Sequence, residues 1–250
     1  MTLPPRRPTF FACRGLIAAA TWLLLASLCP ALAAPPPTAI ADSPPAASSY
    51  LGREIATTMH YTGAAWLTRE SRQREEDCRR LLAELHVAPG DAICDMGCGN
   101  GFYTLKLARL TGRKGRVYAV DIQPEMLEML KRRAREAKIE NVVPLLGGET
   151  DPRLPRESLD LVLMVDVYHE FSKPAEMLQA IRASLKPAGR IALVEFRAED
   201  PAVPIKPLHK MSKEQILKEF SANRLKLASQ FDGLPWQHLM FFVRDEARSK

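Results

Sequence analysis

Much is excluded by what this chain of 250 residues does not contain. Its longest apolar run, over residues 16–28, is shorter than the roughly 20 residues a membrane-spanning helix prefers, so a permanent span is disfavoured. No block of Lys and Arg suited to tracking a phosphate backbone occurs, and 35 basic against 29 acidic side chains leave a formal charge of only +6. Nucleic acid is therefore not an expected partner. Of five cysteines, three (Cys78, Cys94 and Cys98) lie beyond the first 34 residues, an odd number that makes no disulfide framework. No Cys/His set has zinc-site spacing, so no metal is expected, and Cys94 and Cys98 read as small packing residues. The chain shows no internal repeat, which rules out a solenoid.

What is present begins with a three-part N-terminus. Arg6, Arg7 and Arg14 precede the apolar residues 16–28, and Ala31-Leu32-Ala33 offers a small-residue cleavage site. Residues 1–34 are read as a secretory signal, with an uncleaved anchor as the alternative. The chain is then exported, periplasmic or tethered facing the periplasm. Residues 35–49, rich in Pro, Ala and Ser, hold too little apolar surface to fold and form a linker. Residues 50–250 are left for one domain, an N-terminal segment over 50–88 and a core over 89–250, and a hydrophobic content of 46% suits it. Its charge without the signal falls to about +3, since three Arg are removed and no acid.

Residues 94–101, Cys-Asp-Met-Gly-Cys-Gly-Asn-Gly, carry the most information. The preceding apolar residues 92–94 read as a buried strand, and residues 102–110 recur with helical period, so Gly97, Gly99 and Gly101 occupy a strand-to-helix turn. Without Cβ atoms they let a ligand approach the backbone where the helix points its unpaired N–H groups. Residues 115–121 read as a second buried strand ending in Asp121, placed to accept from ribose hydroxyls. A dinucleotide loop runs G-x-G-x-x-G, whereas this one runs G-x-G-x-G behind an acid, Asp95. A negative group there repels a pyrophosphate and welcomes a sulfonium or ammonium.

Asp95-Met-Gly97-Cys-Gly99-Asn-Gly101 resembles the first motif of the class I S-adenosylmethionine-dependent methyltransferases, D/E-x-G-x-G-x-G. The likeness continues through Val120-Asp121, through residues 159–170 (Leu-Asp-Leu-Val-Leu-Met-Val-Asp-Val-Tyr-His-Glu) and through residues 185–195, and covers about residues 65–245. Ala188 stands where the family usually has glycine, leaving Gly189 to take the left-handed position. The resemblance implies an α/β, three-layer αβα Rossmann-like fold with a mostly parallel seven-stranded sheet and an antiparallel last strand. It also implies S-adenosylmethionine as cofactor and a small-molecule methyl acceptor. By the same resemblance, Asp95 and the glycines hold the amino-acid part, Asp121 the ribose, and a polar residue after the third strand the adenine. Glu149, Thr150 and Asp151 compete for that last role, and Asp151 is chosen. Ile122 packs on the adenine face, and Asp166 joins the cofactor set.

The remaining pattern alternates strands (residues 142–146, 159–165, 190–196, 225–231 and 237–243) with helices (124–138, 174–185 and a capped helix over 212–221), as a parallel sheet with crossovers requires. A helix over 68–85 leads in, its charges read as a solvated face, and residues 61–70 are placed as a lid. The segments around His209 and Trp236 are expected to shape the acceptor pocket. Asp166, Tyr168 and His169 follow the fourth strand and are the catalytic candidates, His169 as a base near neutral pH. Two rival readings stand beside the transferase: a nicotinamide oxidoreductase, opposed by the glycine spacing, and a non-catalytic binder. The binder draws on the export signal, because the cofactor is made in the cytosol.

Overall fold

The computed structural model describes residues 49–246. The expected signal (1–34) and the linker (35–49, all but its last residue) lie outside the described residues. Among those described, no helix is long and apolar enough to cross a membrane.

Seven strands form the sheet: β1 (Ala92–Met96), β2 (Arg116–Asp121), β3 (Val142–Leu146), β4 (Leu159–Val165), β5 (Leu185–Arg197), β6 (Leu225–Phe231) and β7 (Gln237–Arg244). Their order is β3-β2-β1-β4-β5-β7-β6, and a two-residue strand, Lys210–Met211, adds to β5. The first five strands pair in parallel, while β7 runs antiparallel to both β5 and β6. This is the expected doubly wound topology with its reversed last strand.

Six helices accompany it: α1 (Arg72–Glu76), α2 (Cys78–Glu84), α3 (Thr104–Thr111), α4 (Pro124–Glu136), α5 (Pro174–Ser184) and α6 (Lys213–Ala222). Alternate residues of the central strands divide between the two faces. Met96, Val162, Met164, Ile191 and Leu193 pack with Leu178 and Ile181 of α5 and Phe220 of α6. Ile93, Leu161, Leu163, Ala192 and Val194 pack with Leu81 of α2 and Leu107 of α3. Each fully buried Leu or Ile contributes about 1.5–3 kcal/mol, and the strands that later carry the site are buried on both faces.

Three expectations need correction. The lead-in helix is not continuous: Asp77 adopts φ 45° and ψ 59°, ends α1, and accepts from the Arg80 N–H to cap α2. Its charges are not all solvated, because Arg72 and Glu76 are 5% and 1% exposed and pair at 2.7 Å. Gly189 is not among the residues with positive φ; a Cβ there would meet the Leu159 carbonyl oxygen at 2.5 Å, so close strand approach requires the glycine. β5 accordingly starts earlier than expected, with Leu185 opposite Leu159.

Candidate functional site

The carboxyl ends of β1, β2 and β4 open into a cavity of about 840 Å³, within the ~300–1,000 Å³ of small-molecule sites. It sits where β1 separates strands wound in opposite directions, the place an open α/β sheet binds its ligand. Gly97, Gly99, Asp121, Ile122 and Glu149 line it from the β1–β3 side. Asp166, His169, Glu170, Phe196 and His209 line it from the β4–β5 side, and the strap over residues 55–59 with Trp66 and Leu67 covers it.

Gly97 (φ 67°) and Gly99 (φ 52°) are left-handed, as the turn demands, and a Cβ on either would collide with Val167 or Leu67 within 2.4 Å. Both therefore line the cavity and also admit these two side chains. Gly101 lies off the cavity; its Cβ would strike Leu130 of α4 at 2.3 Å, so this glycine serves helix packing.

Asp121 accepts from the Gly99 N–H and the Gln123 N–H, both at 2.9 Å, which fixes the carboxylate at the cavity wall. Burial raises its pKa, and these backbone hydrogen bonds oppose the rise. Ile122 is 47% exposed although apolar, a flat hydrophobic surface turned to the cavity. Asp95 does not reach the cavity lining. It is buried and accepts from the Thr104 hydroxyl at 2.5 Å, so it ties the glycine loop to α3. Asp151 does not reach it either: its carboxylate accepts from the Arg153 N–H, and Glu149 faces the cavity instead.

Two further carboxyl groups at the cavity come from residues the sequence pattern did not single out together. Glu76, from α1, and Asp166 both line it, with Arg72 between the two acids in the electrostatic sense. Asp166 holds φ 51°, unusual for a residue other than glycine, and Gln237 Nε2 donates to both its oxygens at 2.9 and 2.8 Å. Burial first, then Glu76 and Glu195, push its carboxyl well above the usual range. Glu76, Gln237 and Glu149 were legible only as a helix charge, a strand start and one of three polar candidates after β3.

Of the other catalytic candidates, Tyr168 is not at the site. It is fully buried, and its hydroxyl donates to Glu219 at 2.7 Å, where Arg53 also pairs with Glu219. His169 does line the cavity. Its Nδ1 lies 2.6 Å from Glu195 and its Nε2 3.0 Å from His209 Nδ1. Burial alone lowers the imidazole pKa, but Glu195, Glu170 and Asp166 reverse this and raise it. The Glu170 carboxyl is pushed up to about 7, chiefly by burial. Trp236 and His238 are not in the lining, and His238 pairs with Glu199 at 2.9 Å. His169, Glu170 and His209, which no sequence spacing brings together, converge with their ligand atoms within 4.8 Å of one another.

S-adenosylmethionine fits these residues. Four carboxyl groups, of Glu76, Asp121, Glu149 and Asp166, line the wall beside Arg72 and Lys206; a cationic ligand favours their ionised forms, which a diphosphate would oppose. Asp121 has a carboxylate for paired hydroxyls, and Ile122 an apolar face for a planar ring.

Residues 88–240 match the family model described as a methyltransferase domain. The demethylmenaquinone methyltransferase of Symbiobacterium thermophilum is 34% identical over 49% of this chain and 49% of its own length. That of Lactobacillus johnsonii is 26% identical over 57% of each. The chain thus spans about half the length of the curated relatives it matches. Among solved structures, a SAM dependent methyltransferase from Aquifex aeolicus superposes with TM-score 0.70 at 23% identity, covering 74% of this chain and 98% of that one. The [4+2]-cyclase SpnF superposes with TM-score 0.54 at 22% identity, over 61% and 57% of the two chains. At such identities the likeness is of fold alone, and the same fold carries a ring-forming enzyme as well as transferases.

Proposed function

Since the chain belongs to the methyltransferase-domain family, we propose that it uses S-adenosylmethionine to methylate a small organic acceptor. The observation that carries this reading is the acidic cavity at the carboxyl ends of β1, β2 and β4, entered by the Gly97 and Gly99 backbone. Asp121 would hold the ribose, Ile122 the adenine face, Glu149 the adenine edge, and Glu76 with Asp166 the cationic amino-acid end. The bound cofactor supplies an electrophilic methyl on a sulfonium. The protein's share is to hold the acceptor in line with that methyl and to exclude water, and effective molarities of oriented reactants reach about 10⁵–10⁸ M. His169, Glu170 and His209 are the polar groups on the acceptor side.

The acceptor is placed among small molecules rather than nucleic acids on the absence of a basic run. Export to the periplasm, with the signal cleaved or kept as a tether, is supported by the three-part pattern over residues 1–34. An exported enzyme then depends on cofactor crossing the membrane.

Calorimetry with S-adenosylmethionine, S-adenosylhomocysteine and NAD tests the reading, with binding of the first two expected. Tight NAD binding and silence with the others would overturn it. Release of S-adenosylhomocysteine on adding a small-molecule extract of the source cells separates an enzyme from a binder.

A further inference from the structure

We propose that His169, Glu170 and His209 form a site for one divalent transition-metal ion on the acceptor side of the cavity. Their ligand atoms lie within 4.8 Å of one another, and all three side chains line the cavity. Two ligands each about 2.1 Å from one ion stand at most about 4.2 Å apart. His169 Nε2 and His209 Nδ1, 3.0 Å apart, already match an angle of about 90° at such an ion. Glu170 Oε1, 3.9 Å from His169 Nε2, is within the span one ion can bridge, and the 4.8 Å limit of the whole set closes to it with a movement of less than about 1 Å.

An independent observation is the support behind the first ligand. Glu195 is fully buried and faces His169 Nδ1 at 2.6 Å. An ionised carboxylate only accepts, so Nδ1 carries the proton and Nε2 turns its lone pair to the cavity. Histidines that bind metals are oriented in this way by a carboxylate on the far nitrogen. The backbone is fixed as well: the His169 N–H donates to Glu195 Oε1, and its carbonyl accepts from Ala56 and Arg53. Glu170 Oε1 accepts from the Met59 N–H, which holds the carboxylate in place and leaves that oxygen a second lone pair for an ion.

Two imidazoles and one carboxylate favour zinc, iron(II), manganese or cobalt over calcium or magnesium. Three protein ligands leave positions open toward the cavity, as in catalytic rather than structural sites. Resting on the methyl-transfer reading, the site narrows the acceptor to an oxygen nucleophile such as a phenol, enol or hydroxy acid, whose oxygen would bind the ion and ionise more readily. The ion and a general-base role compete for the same Nε2 lone pair, and the inference assigns it to the ion.

The test uses the full chain, stripped with a chelator and titrated calorimetrically with Zn²⁺, with elemental analysis after gel filtration from buffers holding Zn²⁺, Mn²⁺ or Fe²⁺. One equivalent is expected in the wild type and in His86→Ala, an exposed histidine elsewhere. His209→Ala and Glu170→Gln should weaken binding at least tenfold, with circular dichroism confirming the fold. Half-buried His209 lies on a single turn outside the core, so its loss leaves the sheet intact. Wild type without stoichiometric binding, or undiminished binding in His209→Ala, overturns the site and leaves a hydrogen-bonded cluster. S-adenosylmethionine affinity of the same samples keeps the two readings apart. Zinc bound without any cofactor affinity supports the metal site and sinks the transferase; cofactor bound without zinc does the reverse.

Discussion

Replacing Asp95 by Asn should change how stability depends on pH, in a way that identifies what Asp95 does. The carboxyl is 3% exposed, and burial pushes it from its ordinary 3.8 to about 6, with Asp121 adding to the rise and Thr104 and Arg72 opposing it. Because the folded pKa is raised, the native state binds the proton more tightly than the unfolded chain. The stabilisation this gives is complete below about pH 3.8 and is lost as pH rises through about 6. At about 1.4 kcal/mol per pKa unit, the charged form costs the fold about 3 kcal/mol at pH 8. Asn keeps an acceptor for the Thr104 hydroxyl and does not titrate. A poorly partnered amide N–H₂ would add a penalty of about 1–3 kcal/mol, but one independent of pH. The stability of Asp95→Asn minus that of wild type should therefore rise by about 2–3 kcal/mol between pH 4 and pH 8. Urea unfolding at pH 4, 5, 6, 7 and 8 measures it, with groups common to both proteins cancelling. A flat difference, or one that falls with pH, would show that Asp95 is not a buried carboxyl strained by its own charge.

Four further outcomes follow from the same geometry. Glu219→Ala, which strands the buried Arg53 and frees the Tyr168 hydroxyl, should cost about 3–5 kcal/mol in denaturant unfolding; Tyr168→Phe should cost about 1.5–3 kcal/mol with cofactor affinity unchanged, and a lost affinity would return Tyr168 to the site. Asp121→Ala should raise the S-adenosylmethionine Kd about 10- to 100-fold, corresponding to about 1–3 kcal/mol, and an unchanged calorimetric Kd would show that the carboxylate faces elsewhere. Gly101→Ala, with φ 85° and a Cβ against Leu130, should destabilise the fold by about 1–3 kcal/mol while the remaining folded protein binds cofactor normally; full stability in thermal melts would refute the packing role.

Strands were legible where apolar runs end abruptly at turn residues. Residues 142–146, 159–165 and 225–231 form strands with the expected bounds; the central one, 159–165, is largely buried and needs a continuous apolar run and little else, whereas 225–231 is exposed at five successive positions and takes its bounds from the turn residues around it. Asp121 and Ile122 were legible for a related reason: a strand's carboxyl end sets their position, whatever the loop does. Asp151 was misassigned because the side chain facing the cavity after β3 depends on a turn. Gly148 N–H donates to the Asp151 carbonyl at 2.8 Å, a loop closure that turns Glu149 inward and Asp151 outward. The pairing of Arg72 and Glu76 has the i, i+4 spacing of a solvated helix face, and only the packing of α1 against the cavity decides that it is buried. His209 joins His169 across 40 positions through the excursion after β5, and no local pattern encodes such a meeting.

The corrections share a physical theme, which is how the charge is distributed between loop and cavity. Asp95, the acid expected to face the ligand, is spent on the fold: one partner is the Thr104 hydroxyl, and its neighbours are the buried strands. The ligand-facing carboxyls are those of Glu76 and Asp166 instead, each held by a neutralising or donating side chain, Arg72 or Gln237. Coverage of the cavity is polar too. Gln123 accepts from the Tyr61 N–H and donates to the Met59 carbonyl, Asn100 donates to the Ala64 carbonyl, and Glu170 accepts from the Met59 N–H. Each such bond contributes about 0.5–1.5 kcal/mol, so the four together hold the strap by about 2–6 kcal/mol. The Ala56 N–H adds a bond to the His169 carbonyl and Arg72 one to the Leu67 carbonyl, so the strap is fastened at both ends to residues that line the cavity.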